Sequence, residues 1–295
     1  MPELPEVETI KNDLKEQIIG KRIISVFPLW KEIVKDIPYE LFVKQIEGKE
    51  IIDVERRAKN LIVRLSGGLN LLVHLKMTGH LFVEDEKSSE ISKEGKWLKA
   101  SSEDLVKDQQ NQFIRIIFHL SGGKILAMGD MRKFAYIRLM DDRGLEEFLK
   151  NYGPEPLSSG FSAEKLASIL KKKNTAIKKV LMDQSLVAGI GNIYADEILW
   201  ASRVHPLSAS SKLQDKDIEA IYENTRKILR LAIKRRGTST SDFRDTKGLK
   251  GTYGDLRNVY QREGMPCPVC GGPVRKIKVG GRGTHFCPRC QKEVK

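Results

Sequence analysis

The feature that most constrains this chain lies at its C-terminal end. There Cys267 and Cys270 are separated by two residues and, after sixteen more, Cys287 and Cys290 repeat the spacing. These are all the cysteines of the 295-residue chain. Two knuckles of this kind present four thiolates as a tetrahedron, the donor set of a structural zinc site rather than of a disulfide scaffold. Four sulfur ligands leave the ion no open position for chemistry, so its work is to hold a segment too short to bury a core of its own. One structural Zn²⁺ is therefore expected. Residues 274–279 and 284–287 read as the strands of a hairpin, with Gly280, Gly281, Arg282 and Gly283 at its tip, where glycine lets a backbone approach phosphate closely. Arg282 is then presented outward, either as an anion ligand or as an ordinary solvated turn arginine.

Upstream, the hydrophobic period changes along the chain. Leu4, Val7, Leu14 and Ile18 recur at helical spacing, so 5–19 reads as an amphipathic helix with Pro5 tolerated in its first turn. Short β-branched runs follow at 22–27, 51–57, 61–65, 69–75, 114–120, 124–128 and 134–140, punctuated by Gly67-Gly68 and Gly122-Gly123 as hairpin turns. This predicts a β-sandwich of about 140 residues. Between 84 and 112 the sequence is polar and Ser-rich with few apolar anchors, and reads as a mobile surface insertion. After Gly153-Pro154-Glu155-Pro156 the period turns helical, at 162–172, 175–183, 192–201 and 215–236. Residues 237–264 then lack periodicity, and a connection of that length often carries function. The fold class is α+β and multidomain: a sandwich over 1–144, a helical domain over 145–236, a loop over 237–257 and the cysteine module over 258–295.

The net charge of +13 favours polyanionic partners, because Lys and Arg can displace the counterions condensed on a phosphate backbone. No apolar run approaches the ~20 residues needed to span a bilayer, and the start is acidic, unlike a signal peptide. A cytoplasmic protein with no membrane partner is expected. No dimerisation stripe stands out, so a monomer is expected too.

Removal of Met1 before a small residue would expose the secondary amine of Pro2. An α-amine has a pKa near 8, so a useful fraction is neutral at physiological pH and able to attack an electrophilic carbon. Glu3, directly beside it, can serve as a general acid if its environment raises its pKa. The alternative is a helix lead-in whose carboxylate merely favours the helix dipole.

The opening Met1-Pro2-Glu3-Leu4-Pro5-Glu6-Val7-Glu8-Thr9 resembles that of the bacterial formamidopyrimidine-DNA glycosylase family, also called Fpg or 8-oxoguanine-DNA glycosylase. Leu4 stands where the endonuclease VIII branch typically has Gly. The resemblance continues through Arg56-Arg57-Ala58-Lys59, His74-Leu75-Lys76-Met77-Thr78-Gly79, Gly153-Pro154-Glu155-Pro156-Leu157, Gly189-Ile190-Gly191-Asn192-Ile193-Tyr194 and Gly281-Arg282-Gly283-Thr284. It implies an N-terminal β-sandwich with an N-terminal helix, a helix-two-turns-helix domain and a C-terminal zinc finger. It also implies a bifunctional glycosylase and abasic-site lyase of base-excision repair, acting on double-stranded DNA that contains an oxidised purine or an abasic site.

Carried over by position, the resemblance makes Pro2 the Schiff-base nucleophile and Glu3 the acid. Lys59 assists β-elimination, and Arg282 assists δ-elimination and grips phosphate; read alone, Lys59 is a solvated strand-end charge. Met77, Arg132 and Phe134 fill the void left by a flipped nucleotide, although Met77 and Phe134 are residue types more often found in a core. Asn192, opening a helix after a Gly-x-Gly turn, holds phosphate, Lys173 contacts DNA, and the 237–257 loop closes over the flipped base. Three departures from the family pattern are visible. Phe113-Ile114-Arg115 stands where many members carry His-x-His, Met131 and Lys133 flank Arg132 in place of Pro and Arg, and the 84–112 insertion is longer than the family's. Two rival readings remain at this point. One is an endonuclease VIII-like preference for oxidised pyrimidines, disfavoured by Leu4 and the long loop. The other is a non-catalytic zinc-ribbon protein that binds damaged DNA, disfavoured by Pro2, Glu3, Lys59 and Arg282 occurring together.

Overall fold

The computed structural model describes residues 1–239 and 242–294; residues 240 and 241, inside the expected 237–257 loop, lie outside the described set. In chain order the elements are α1 (Leu4–Ile18), β1 (Ile23–Pro28), β2 (Val34–Lys35), α2 (Tyr39–Ile46), β3 (Ile51–Arg57), β4 (Asn60–Leu65), β5 (Leu69–His74), β6 (Gly79–Asp85), β7 (Glu90–Ile91), β8 (Trp97–Lys99), α3 (Glu103–Lys107), β9 (Ile114–Leu120), β10 (Lys124–Asp130), β11 (Tyr136–Asp141) and α4 (Asp142–Leu149). There follow α5 (Ala163–Leu170), α6 (Ile177–Met182), α7 (Asn192–Ala201), α8 (Asp215–Lys234), β12 (Arg275–Val279) and β13 (Arg282–Phe286). The chain forms two compact units, Met1–Lys150 with Arg235–Gly254, and Asn151–Lys234 with Asp255–Lys295. Among the described residues no helix is long and apolar enough to cross a membrane.

The first unit is the expected β-sandwich. One sheet has the order β1-β9-β10-β6 and the other β2-β11-β5-β4-β3, antiparallel except for the β2–β11 pair. Val26, Val83, Phe118 and Leu126 of the first sheet meet Val54, Leu61, Val63, Leu71, Val73 and Ile137 of the second. Val7, Ile10, Leu14 and Ile18 of α1 join that core, three or four residues apart and hence on one helical face. Each such side chain contributes roughly 1.5–3 kcal/mol by leaving water. The glycines of the expected turns at 67–68 and 122–123 all take positive φ.

Residues 84–112 depart from the mobile insertion expected of them. They carry the β7–β8 hairpin and α3, and with β6, β9 and β10 they bury a small second core of Phe82, Trp97, Leu105, Ile114, Ile125 and Ala127. The segment contributes few large apolar side chains, but Trp97 and Leu105 are both buried.

The second unit is helical. Leu166 and Leu170 of α5 and the Ile218, Ile221, Ile228 and Leu229 stripe of α8 are buried, with α8 packing on α5 and α7. Its C-terminal hairpin is tighter than the sequence suggested. Val279 pairs with Arg282, so the turn is Gly280-Gly281 alone, both at positive φ as a two-residue type I′ turn requires, and Arg282 and Gly283 already belong to β13.

Candidate active site

Pro2 and Glu3 are buried at the start of α1, and Glu3 occupies its N-cap position. The Glu3 N–H donates to Glu6 Oε2 at 2.8 Å, while Glu6 Oε1 accepts from the Thr238 N–H at 2.7 Å. One buried carboxylate thus joins the N-terminal turn to the start of the 237–257 loop. Gly237 makes this possible: its φ is +83°, and a Cβ there would stand 2.8 Å from Glu6 Oε1. Sequence reasoning missed Glu6, although Glu at the third helical position is a capping-box signal. The neck of the loop is closed by the Tyr253 N–H on Gly237 O at 3.0 Å and the Thr252 N–H on Arg235 O at 2.9 Å.

Helix α1 packs on β3 and β4, and Lys59 sits buried in the Ala58-Lys59 turn that joins those strands. The neighbouring Arg56 is tied to α1 through Glu8 at 2.6 Å. Asn60, next to Lys59, pairs with His74 across β4 and β5. His74 accepts the Lys76 N–H on Nδ1 at 2.9 Å. Burial first, then the charges of Lys76 and Lys59, push its pKa down to about 3, so its imidazole is neutral near pH 7. Between about 3 and the ordinary 6.5, the unfolded chain binds a proton that the folded chain refuses. Stability should therefore fall as pH drops through that window and level off below it. Urea unfolding from pH 7 to pH 4 should show a shallower loss for His74→Asn than for the wild type; equal slopes would contradict this account.

Met77, Arg132 and Phe134 are brought together. Arg132 Nη1 lies 3.1 Å from Met77 Sδ, and its guanidinium sits 4.8 Å above the Phe134 ring. Met77 is 37% and Phe134 52% exposed, so neither is a core residue. Asp130, a buried carboxylate that sequence reasoning also missed, ties together the two loops that carry them, β5–β6 with Met77 and β10–β11 with Arg132 and Phe134. Asp130 accepts from Thr78 Oγ1 at 2.5 Å and from the N–H groups of Arg132, Phe134 and Ala135 at 3.1, 2.6 and 2.7 Å. Arg115, standing in place of the expected histidine, donates from Nε to Asp130 O at 2.9 Å. Beside these loops the ammonium groups of Lys35 and Lys133 lie over the Trp30 ring, each 5.5 Å from its centroid.

In the second unit, Asn192 opens α7 after Gly191, and its Nδ2 donates to Gly283 O at 3.1 Å. Lys178, fully buried, reaches Asp196 Oδ1 at 2.6 Å and Thr284 Oγ1 at 2.7 Å, and Asp196 Oδ2 accepts the His285 N–H at 2.8 Å. These bonds fasten β13 to α6 and α7. Arg282 lines a cavity of about 260 Å³ with Lys178, Lys179, Met182, Asp183, Val279 and Gly280. Lys173 is not among the side chains that meet there; it is exposed, just past the end of α5.

The four Sγ atoms lie within 4.8 Å of one another, with Cys267–Cys290 at 3.9 Å and Cys270–Cys287 at 3.4 Å. A tetrahedron with Zn–S bonds of ~2.3 Å has edges of about 3.8 Å, so the donor set fits one structural Zn²⁺. Trp200 Nε1 donates to Cys267 Sγ at 3.4 Å, and Val259 and Val274 pack around the thiols. Glu197 of α7 accepts the N–H groups of Asn258, Val259 and Tyr260, each at about 2.9 Å, and so fixes the segment that enters the module.

Comparison with known proteins bears directly on this arrangement. The formamidopyrimidine-DNA glycosylase N-terminal domain matches residues 1–137, the formamidopyrimidine-DNA glycosylase H2TH domain 152–244, and a zinc finger found in FPG and IleRS 264–292. The formamidopyrimidine-DNA glycosylase of Symbiobacterium thermophilum is 40% identical over 293 residues, spanning 99% of this chain and 89% of its own, and that of Roseiflexus sp. is 38% identical, spanning 99% and 100%. The solved structure of Lactococcus lactis Fpg with abasic-site DNA superposes with a TM-score of 0.85 at 34% identity, covering 99% of this chain and 100% of that one. The same protein with Fapy-dG DNA gives 0.84 at 34% identity, with the same coverage. Sandwich, helical domain and cysteine module thus each find their counterpart in order along the sequence, and the chain belongs to the formamidopyrimidine-DNA glycosylase family.

Proposed function

We propose that this protein excises oxidised purines, 8-oxoguanine and formamidopyrimidines, from duplex DNA and then cleaves the strand by β,δ-elimination. The observation that carries the proposal is the exposed Met77–Arg132–Phe134 cluster on two loops that Asp130 fastens together. An apolar wedge with a cationic hydrogen-bond donor is what a duplex needs when one nucleotide leaves the stack, a cost of a few kcal/mol. The relatives named above carry the glycosylase name, and the Lactococcus lactis protein was solved on abasic-site and Fapy-dG DNA.

In this reading the free Pro2 amine attacks C1′ of the flipped nucleoside, and Glu3 supplies a proton as the sugar–base bond breaks. The base leaves with the Pro2 proton, the Glu3 proton goes to the ring oxygen so that the C1′–O4′ bond opens, and the resulting Pro2–C1′ iminium acidifies the C2′ proton, whose loss expels the 3′ phosphate by β-elimination, assisted by Lys59. Arg282 assists δ-elimination at the 5′ side. Asn192 and Arg282 hold phosphate, Lys173 adds a DNA contact, and the 237–257 loop covers the flipped base. The zinc ion keeps the hairpin that presents Arg282 folded.

The test is borohydride trapping of purified protein on a duplex carrying 8-oxoguanine opposite cytosine, with the strand products resolved alongside. A covalent adduct and a one-nucleotide gap with phosphate on both ends are expected. An abasic strand left intact after base release would remove the lyase half of the proposal, and turnover of thymine glycol in preference to 8-oxoguanine would remove the purine specificity.

A further inference from the structure

The segment between β6 and β9 does more than cover the sheet. Arg244, buried, donates from Nε to Asp108 Oδ2 at 2.7 Å and from Nη1 to Phe243 O at 2.7 Å. Asn111 Nδ2 donates to Gly248 O at 3.1 Å, and to Asp104 O on its own side at 2.8 Å. The fit at Gly248 is close: its φ is +78°, and a Cβ there would stand 2.7 Å from both Asn111 Nδ2 and Leu105 Cδ2. Strand β6 adds the Val83 N–H on Thr246 O at 3.1 Å and a hydrogen bond from His80 Nε2 to the Asp242 carbonyl. Burial alone would raise the Asp108 carboxyl, but hydrogen bonds from Arg244 and the Gln110 N–H outweigh it and hold the group below its ordinary value, so it is charged near neutrality.

The loop is therefore gripped at two places in the same unit. Its first residues hang on Glu6, beside the N-terminal nucleophile, and residues 242–248 rest on β6, α3 and the turn after α3. We propose that the 86–112 segment is a positioning element for this loop, acting through Asp108–Arg244 and Asn111–Gly248, and that it governs excision of the damaged base rather than cleavage of the abasic strand. The inference rests on the reading that the loop covers the flipped base. Once the base has left, the loop has nothing to hold, and the elimination steps draw on Pro2, Lys59 and Arg282 instead.

The experiment compares wild type, Asp108→Ala, Asp108→Glu and Asn111→Ala in three readouts. These are single-turnover excision of 8-oxoguanine, nicking of a pre-formed abasic site, and amide hydrogen exchange across 242–249. For Asp108→Ala, excision should slow by about 10-fold, within the range a misplaced contact region can cost. Nicking should stay within about 2-fold, and exchange at 242–249 should accelerate by about 10-fold. Asn111→Ala should show the same split more weakly, and Asp108→Glu should restore most of both. Equal losses in excision and nicking would mean a general structural role and overturn the proposal, as would wild-type exchange rates in Asp108→Ala. If wild type excises no oxidised purine, the functional reading fails by itself, and the exchange data still decide whether the segment holds the loop.

Discussion

Retaining a short peptide extension ahead of Pro2 should abolish borohydride trapping and reduce strand nicking by on the order of 10³-fold or more, the scale of losing a nucleophile outright. The extension changes no side chain. It converts the Pro2 nitrogen from an amine to an amide, whose lone pair is delocalised into the carbonyl and cannot attack carbon. Met1 is 43% exposed, so an extension has a route to solvent, although Pro2 behind it is buried. Proteolytic removal of the extension should then restore both trapping and nicking in the same preparation. Activity with the extension still in place, confirmed by intact mass, would exclude Pro2 and direct attention to Lys59, the buried amine of the β3–β4 turn.

The second large effect concerns stability. Asp196→Ala should destabilise the helical unit by about 3–5 kcal/mol, because it leaves the Lys178 ammonium buried without its counter-charge and also strips the acceptor from the His285 N–H. At roughly 3–5 °C per kcal/mol for a unit of this size, the corresponding calorimetric transition should fall by about 9–25 °C. Lys178→Met combined with Asp196→Leu should recover much of the loss, since replacing both members of a buried pair with apolar groups removes the desolvation penalty along with the attraction. If the single variant melts like the wild type, the pair is not what fastens β13 to α6 and α7.

What could be read in the sequence depended on how local each signal was. The cysteine spacing defines its site because ligand geometry is written into two-residue gaps, and the four thiols do converge. Helix α1 and most sandwich strands follow from periodicity. Strand β6 does not stand out in the sequence because it is buried on both faces, with Val83 in the main core and Phe82 in the smaller one, which erases the alternation that marks a strand. The short helices α2 and α4 offer too few turns for a helical period to stand out. Met77 and Arg132 lie 55 positions apart, and it was family resemblance, not spacing, that put them side by side. Glu6, Asp130 and Arg244 each stand among ordinary surface-type charges in the sequence. Their partners at Thr238, Thr78 and Asp108 are tens to hundreds of residues away, so only the folded chain reveals them.

The order β1-β9-β10-β6 places β10 between two strands that run the same way: Asp85 at the end of β6 faces Lys124, whereas Ile114 at the start of β9 faces Gly129, near the other end of β10. A chain leaving β6 must therefore travel back the length of a seven-residue strand, about 23 Å at ~3.3 Å per residue, before it can re-enter the sheet. Some connection is obligatory there, and no hairpin turn can supply it. Residues added to this stretch lie on a path the chain must take in any case, so they can reach the loop that starts beside Glu6 without any strand having to move. A shortened version of this protein needs at least seven or so extended residues between those strands.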